Sequence, residues 1–311
     1  MMSTKKTVIF LMGPTACGKT SLAIGLAKIM PVEIINVDSA QIYIGMDIGT
    51  NKPSKEQLAI VKHHLIDICL PQNNYSAAEF CKDANRLIKE IHTKGKVPLL
   101  VGGTMLYFYA LCFGLSELPA KNIEVRNDIL KLATEHGWPE MHARLTKLDP
   151  IASNNININD RQRIQRALEV NILTGKKISD CFSKMNSFIE NCNIYYFAIL
   201  HQDRAVLHQK IADRFYSMVQ QGFVEEVAQL LQQGIPLSMP AMRCVGYRQI
   251  SEYLQNKISR EDAYQKAIIA TRQLAKRQYT WLRKWQGLVD LKQLYAESSE
   301  RHNLDLIIKS L

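Results

Sequence analysis

Over about the first 115 residues, short unbroken apolar blocks alternate with longer stretches whose apolar positions recur every three or four residues. The blocks are Thr7 to Met12 (TVIFLM), Glu33 to Asp38 (EIINVD) and Val97 to Val101 (VPLLV), and each is short enough for one buried strand. Helical spacing joins Leu22, Ala23, Leu26, Ala27 and Met30, and again Ala77, Phe80, Ala84, Leu87, Ile88 and Ile91 within 76–91. Strands and helices in alternation predict a parallel sheet covered on both faces, with ligands beyond the carboxyl ends of the strands. From about Lys121 to Asn193 the pattern is helical and polar, with an Asn-rich loop from Asn154 to Asn159 and no strand-like block. A further block, Tyr195 to Leu200 (YYFAIL), follows, and from Asp203 the chain reads as mostly helical, with Gly222 and Gly234 as helix ends. The expected organisation is an α/β core built from 1–120 and 196–311, with an inserted helical subdomain at 121–195.

Composition narrows the class. With 47% hydrophobic and 22% charged residues, a chain of 311 residues can bury a large core. No segment reaches the ~18 to 20 apolar residues of a membrane span, and Met1 to Lys6 leads into a strand rather than a signal peptide, so no membrane partner is expected. Seven cysteines without a CxxC pair point to reduced thiols and a cytoplasmic protein. A net charge of +10 favours a polyanionic partner without identifying one.

The chemistry starts at Gly13-Pro14-Thr15-Ala16-Cys17-Gly18-Lys19-Thr20, which fits the pattern of Gly, four residues, then Gly-Lys-Thr. Placed between strand and helix, it turns unpaired N–H groups at a positive helix end towards one anion, here a diphosphate. Lys19 adds positive charge and the Thr20 hydroxyl is placed to ligate Mg²⁺. Cys17 is a candidate for reaction with thiol reagents. Asp38 closes the second strand at the same sheet edge, where it could hold Mg²⁺ through water, take a proton from a nucleophile, or cap the next helix. The third strand ends in Gly102-Gly103-Thr104 rather than in the acid that holds Mg²⁺ in phosphate-hydrolysing relatives of this loop. Its glycines are expected to let a ligand approach the backbone, with Thr104 offering a hydroxyl. His63, His64 and Asp67 have metal-ligand chemistry, with 63 and 67 on one helical face, but adjacent histidines without further ligands are more often core or surface residues.

Two basic clusters lie further on. A helix over Arg161 to Thr174, capped by Asn159-Asp160 and stopped by Gly175, puts Ile164, Leu168 and Ile172 on one side and Gln162, Arg163 and Arg166 on the other. From Arg243 to Trp285 there are ten Lys or Arg against three acids. A helix from Glu261 to Trp285, about 37 Å long, would align Arg272, Lys276, Tyr279 and Arg283 opposite an apolar side of Leu274, Ala275, Trp281, Leu282 and Trp285. A basic stripe carrying an aromatic suits RNA, although an ordinary amphipathic helix has the same pattern.

Together these segments resemble the bacterial tRNA dimethylallyltransferase family. The resemblance runs from about Thr7 to Trp285 through GPTACGKT, DSAQIY, GMDIGTNKP, HHLID, YSAAEF, PLLVGGTMLY, VR (125–126), NDRQRIQRALEV, RCVGYRQ and TRQLAKRQYTWLR, in that order. It departs at Asn157-Ile158, where the family often has His-Pro, and at Cys17, usually another small residue. The resemblance implies a P-loop, nucleotide-kinase-like parallel sheet with a helical insertion that grips the anticodon stem-loop. It implies dimethylallyl diphosphate as donor, Mg²⁺ as cofactor, N6 of adenosine 37 in tRNA as acceptor, and a monomer. Asp38 then corresponds to the general base, and Arg214 and Thr20 to further catalytic positions, with Arg214 stabilising the leaving diphosphate. The loop from Gly13 to Thr20 corresponds to the donor site. Thr104 and Arg126 correspond to contacts with the flipped nucleotide or the donor. The tRNA-contacting stretches correspond to Asp38-Ser39-Ala40-Gln41, Gln162-Arg163-Ile164-Gln165-Arg166, Arg243-Cys244-Val245-Gly246-Tyr247-Arg248 and Lys276-Arg277-Gln278-Tyr279-Thr280-Trp281-Leu282-Arg283.

Two other readings fit part of the sequence. A small-molecule kinase would explain residues 13–43 and leave the basic helix and the insertion unassigned. A nucleotide-dependent RNA-binding module without catalysis would explain the charge and leave the acid beside the phosphate loop unassigned.

Overall fold

In the computed structural model, residues 6–116, 118–183, 187–189, 191–200, 203–291 and 297–311 are described. The chain divides into two compact units, 1–111 with 188–311, and 112–187.

The first unit is built on a six-stranded, wholly parallel sheet. Its elements run β1 (Lys6–Met12), α1 (Lys19–Ala27), β2 (Val32–Val37), α2 (Lys55–Ile60), β3 (His63–His64), α3 (Ala77–Thr93), β4 (Val97–Gly102) and α4 (Met105–Phe113), which continues two residues past the unit boundary. The second unit holds α5 (Ile123–Leu148), α6 (Pro150–Asn155) and α7 (Arg161–Thr174). The chain returns with β5 (Cys192–Ile199), α8 (Arg204–Gln220), α9 (Phe223–Gln232), α10 (Tyr247–Leu254), α11 (Arg260–Leu282), β6 (Leu288–Leu291) and α12 (Glu297–Ser310). The strand order is β3-β2-β4-β1-β5-β6.

The central strands are apolar because both faces are covered: Val8 to Met12 and Leu99 to Leu100 have no exposed surface. Helix α3 starts at a reciprocal capping box, Ser76 with Glu79, and buries Phe80, Cys81, Ala84, Leu87, Ile88 and Ile91 on one face. A second core of this unit joins α8, α9, α10 and α11 around Phe215, Phe223, Tyr247 and Ala275.

Several boundaries differ from the sequence reading. Strand β2 ends at Val37, because the Asp38 carboxylate accepts the Ala40 N–H at 2.8 Å and turns the chain out of the ladder. His63 and His64 form strand β3 against β2 and are not helical, so 63 and 67 share no helix face. Their side chains are committed elsewhere: His63 Nδ1 lies 2.9 Å from the Val61 carbonyl oxygen, and His64 Nε2 lies 2.8 Å from Glu33 Oε2. Asp67 is paired with Lys52. Strand β6, beside β5, was not foreseen in a stretch read as helical. Helix α11 stops at Leu282, and Lys284 and Trp285 close its end in turns. Ile172, expected in the apolar stripe of α7, is 59% exposed, while Ile164 and Leu168 are buried. Helix α5 is two helical segments broken at Gly137, where φ is 82° and Pro139 follows.

Each unit contains a buried carboxylate held by cations. Glu33 meets His64, Lys94 and Lys96, and Glu169 meets Arg126, Arg166 and the Asn122 N–H. Burial alone would raise both pKa values, but these hydrogen bonds outweigh it and hold each at about 2. A depressed carboxylate contributes stability above its unfolded pKa and loses it as pH falls through the folded one. Stability against denaturant should therefore fall steadily from about pH 4.5 down to about pH 2, each group carrying on the order of 3 kcal/mol. Glu169→Gln should flatten that dependence and lower stability at pH 7; an unchanged pH profile would contradict the assignment.

Candidate active site

The phosphate loop is shaped by its own polar groups. Gly18 precedes α1 at φ 92°, a left-handed conformation that a side chain strains. The Lys19 ammonium donates to the Gly13 carbonyl at 3.0 Å and the Pro14 carbonyl at 2.6 Å, which fixes its charge inside the loop. Thr20 lies in the first turn of α1 and is partly exposed. Cys17 is 1% exposed and packs among Leu22, Ile9 and Leu11, so the expected reaction with thiol reagents is not supported.

Asp38 is partly buried one residue beyond β2. Its Oδ1 accepts from Ala40 and, at 3.4 Å, from Gln41, which holds a turn and not the helix cap that the sequence left open. Thr104 secures the same turn: its Oγ1 accepts the Ser39 N–H at 3.0 Å and donates to the Ser39 hydroxyl at 3.3 Å. The Gln41 side-chain amide donates to the Thr50 and Asn51 carbonyls, each at 3.0 Å.

Arg214, on α8, reaches the loop from the other side, its Nη1 lying 3.4 Å from Thr15 Oγ1. Desolvation lowers its pKa, opposed chiefly by the nearby Asp38 carboxylate. The same carboxylate acts on two other residues. Burial pushes the Cys244 thiol up to about 12, with Asp38 adding to the shift, and the Tyr107 phenol is raised by burial first and then partly by Asp38. Loop, Arg214, Asp38, Thr104 and Cys244 thus gather at the carboxyl end of the sheet.

Gly102 and Gly103 serve a different purpose from the one expected. A side chain at Gly102 would run into the Val37 carbonyl, and one at Gly103 into the Gln278 amide, with the Gly13 carbonyl oxygen at 3.3 Å. What approaches these glycines closely is the protein's own backbone and Gln278, rather than a ligand. Gln278 is 7% exposed. Its Oε1 accepts the Thr15 N–H at 3.0 Å and its Nε2 donates to the Gly103 carbonyl at 2.9 Å.

The stretches expected to meet tRNA are mixed in character. In α11, Lys276, Arg277 and Thr280 are exposed, as is Arg283 just past its end, Tyr279 and Trp281 partly so, while Gln278 and Leu282 are buried. Arg272 is partly buried, and its Nε has no hydrogen-bond partner among the described residues. Arg243 and Arg248 are exposed, and with Lys257 they line a groove of about 340 Å³. Gly246 and Tyr247 are buried, and the Tyr247 hydroxyl donates to Glu226 at 2.6 Å. In the second unit Gln162 and Arg163 are exposed and Ile164 is buried, which directs its side chain into the core. Arg126 and Arg166 hold Glu169 in a fork of 2.7–2.9 Å bonds, and Gln165 donates to the Arg126 carbonyl at 3.1 Å.

One structural residue gave no signal in the sequence. Glu226, an acid on amphipathic α9, accepts the Asp47, Ile48 and Gly49 N–H groups at 2.8, 2.7 and 3.1 Å and so fixes the loop that follows Asp38. Three hydrogen bonds from consecutive N–H groups to one carboxylate form only once distant segments meet.

The sequence profile of the IPP transferase family matches residues 41–285. The chain is similar to the full-length tRNA isopentenylpyrophosphate transferase of Bacillus halodurans, with 33% identity over 98% of this chain and 96% of that one, TM-score 0.72. The tRNA isopentenylpyrophosphate transferase of Staphylococcus epidermidis is 33% identical over 98% of this chain and 99% of its own, TM-score 0.70. A eukaryotic dimethylallyltransferase, captured acting on tRNA, is 27% identical over 98% of this chain and 79% of its own, TM-score 0.77.

Proposed function

The chain belongs to the IPP transferase family, and from that premise we propose that it transfers a dimethylallyl group from dimethylallyl diphosphate to N6 of adenosine 37 in tRNA, releasing diphosphate. The observation that carries this reading is the convergence of Asp38, Arg214 and the phosphate loop: Arg214 touches Thr15 of the loop and feels the Asp38 charge. An acid and a diphosphate cradle at one sheet edge are the two ends that an alkyl transfer needs. The kinase reading would use the same pair, but the family match and the basic surface of α11 both favour tRNA as acceptor.

The adenine N6 lone pair is delocalised into the ring, so the amino group is a weak nucleophile. A flipped base whose N6 proton passes to Asp38 as the C–N bond forms would overcome that weakness. At the other end the C–O bond breaks and negative charge grows on the leaving diphosphate. Lys19, loop N–H groups and Arg214 would stabilise it from positions already fixed. The Thr20 hydroxyl is a hard oxygen donor, suited to Mg²⁺, which takes one or two protein oxygens and completes its shell with phosphate and water. When bound, the metal would neutralise diphosphate charge. The exposed cations of α11, Arg243, Arg248 and Arg163 would track the tRNA backbone, with the helical insertion gripping the anticodon stem-loop. No helix among the described residues is long and apolar enough to cross a membrane.

The test is direct. Protein, Mg²⁺, dimethylallyl diphosphate and unmodified tRNA should give N6-dimethylallyladenosine at position 37, seen by nucleoside mass spectrometry. No product from any tRNA, or ATP consumption without tRNA, would overturn the reading.

A further inference from the structure

We propose that Gln278 is a positioning residue that sets the spacing between the donor loop and the turn carrying Asp38, a role that rests on the transfer reaction proposed above. One amide makes both connections. Its oxygen holds the Thr15 N–H and its NH₂ group holds the Gly103 carbonyl. From Gly103 the link continues without a break: Thr104 follows, its Oγ1 binds both the N–H and the hydroxyl of Ser39, and Ser39 follows Asp38. On the loop side Thr15 is also the residue that Arg214 touches. A single buried side chain therefore stands between the group that would bind the leaving diphosphate and the group that would receive the proton.

Its surroundings leave it little freedom. Gln278 is 7% exposed, and Gly103 has no side chain where any Cβ would collide with the amide. The Thr15 N–H is turned into the protein, so it does not belong with the loop N–H groups expected to cradle the diphosphate. Gln278 also lies on α11 beside exposed Lys276 and Arg277, so the helix that offers charge to RNA fixes the donor loop through its opposite face. An angstrom of drift between loop and acid costs an oriented bimolecular reaction about a hundredfold.

Two variants separate this role from its rivals. Gln278→Met keeps the length and loses both hydrogen bonds. Gln278→Glu keeps the acceptor for Thr15 but, when ionised, turns a lone pair towards the Gly103 carbonyl. When protonated it regains a donor and copies the amide. Burial raises the pKa of such a carboxyl, so the protonated form should gain as pH falls. Lys19, Cys17, Arg214 and Asp38 are common to all three proteins, so the Gln278→Met ratio of variant to wild-type kcat serves as the pH control.

With dimethylallyl diphosphate and unmodified tRNA, Gln278→Met should lose about tenfold to a hundredfold in kcat. Its KM values for donor and tRNA should stay within about threefold of wild type. The Gln278→Glu ratio should climb towards one as pH falls, while the Gln278→Met ratio stays flat. A tRNA KM raised more than about tenfold with kcat preserved would make Gln278 an RNA contact and overturn the proposal. Equal losses in every parameter, a lowered thermal midpoint and no recovery of Gln278→Glu at low pH would make it a packing residue and also overturn it. An inactive wild type would instead overturn the transfer reaction, and this role with it.

Discussion

Asp38→Asn is expected to lower kcat for tRNA prenylation by about 10² to 10⁴-fold, with tRNA affinity almost unchanged. Asparagine is the informative replacement because Asp38 has two functions in the structure. Its Oδ1 accepts the Ala40 N–H and holds the turn, and an asparagine oxygen can do the same. What asparagine cannot do is accept the N6 proton. Asp38→Ala removes the turn bond as well, costing about 1 kcal/mol of local stability. The difference between the two variants therefore separates turn geometry from proton transfer. If Asp38→Asn kept wild-type kcat while Asp38→Ala lost it, the carboxylate would be a turn residue and the general-base role would fail.

Arg214→Gln is expected to cost about 10² to 10³-fold in kcat, the size of effect seen when one fixed donor to a developing anion is removed. The argument is electrostatic. Arg214 is partly buried, and desolvation lowers its pKa, so its charge is poorly screened and acts strongly on an anion formed nearby. Its contact with Thr15 places it at the loop. Because charge grows on the diphosphate only as the C–O bond breaks, kcat should fall more than donor KM rises. Arg214→Lys should recover only part of the loss, since an ammonium lacks the planar fork. A variant with normal kcat and a raised tRNA KM would move Arg214 from the leaving group to the RNA.

Sequence and structure agree best where one segment carries its own signal. The β1 block, the loop pattern at Gly13 to Thr20 and the capped helix over Arg161 to Thr174 all stand where their local chemistry put them. Agreement fails where the signal is too short or the partner is remote. Strand β3 has two residues, too few to show a period, and β6 is four residues held in place by β5. Gly102 and Gly103 were visible as glycines, but nothing local said that Val37 and Gln278 fill the space beside them.

By itself the sequence determined the alternation of strands and helices, the glycine-rich loop between β1 and α1 and the acid just beyond the second strand. Each of these is written in neighbours a few residues apart, through periodicity, capping and backbone freedom. The tertiary structure alone decided which polar side chains face outward and which brace the site. Gln278 and Thr15 are 263 positions apart, and Glu226 and Ile48 are 178 apart. Contacts of that range depend on how whole helices pack against the sheet, and the same glutamine on an exposed face of α11 would read identically in the sequence.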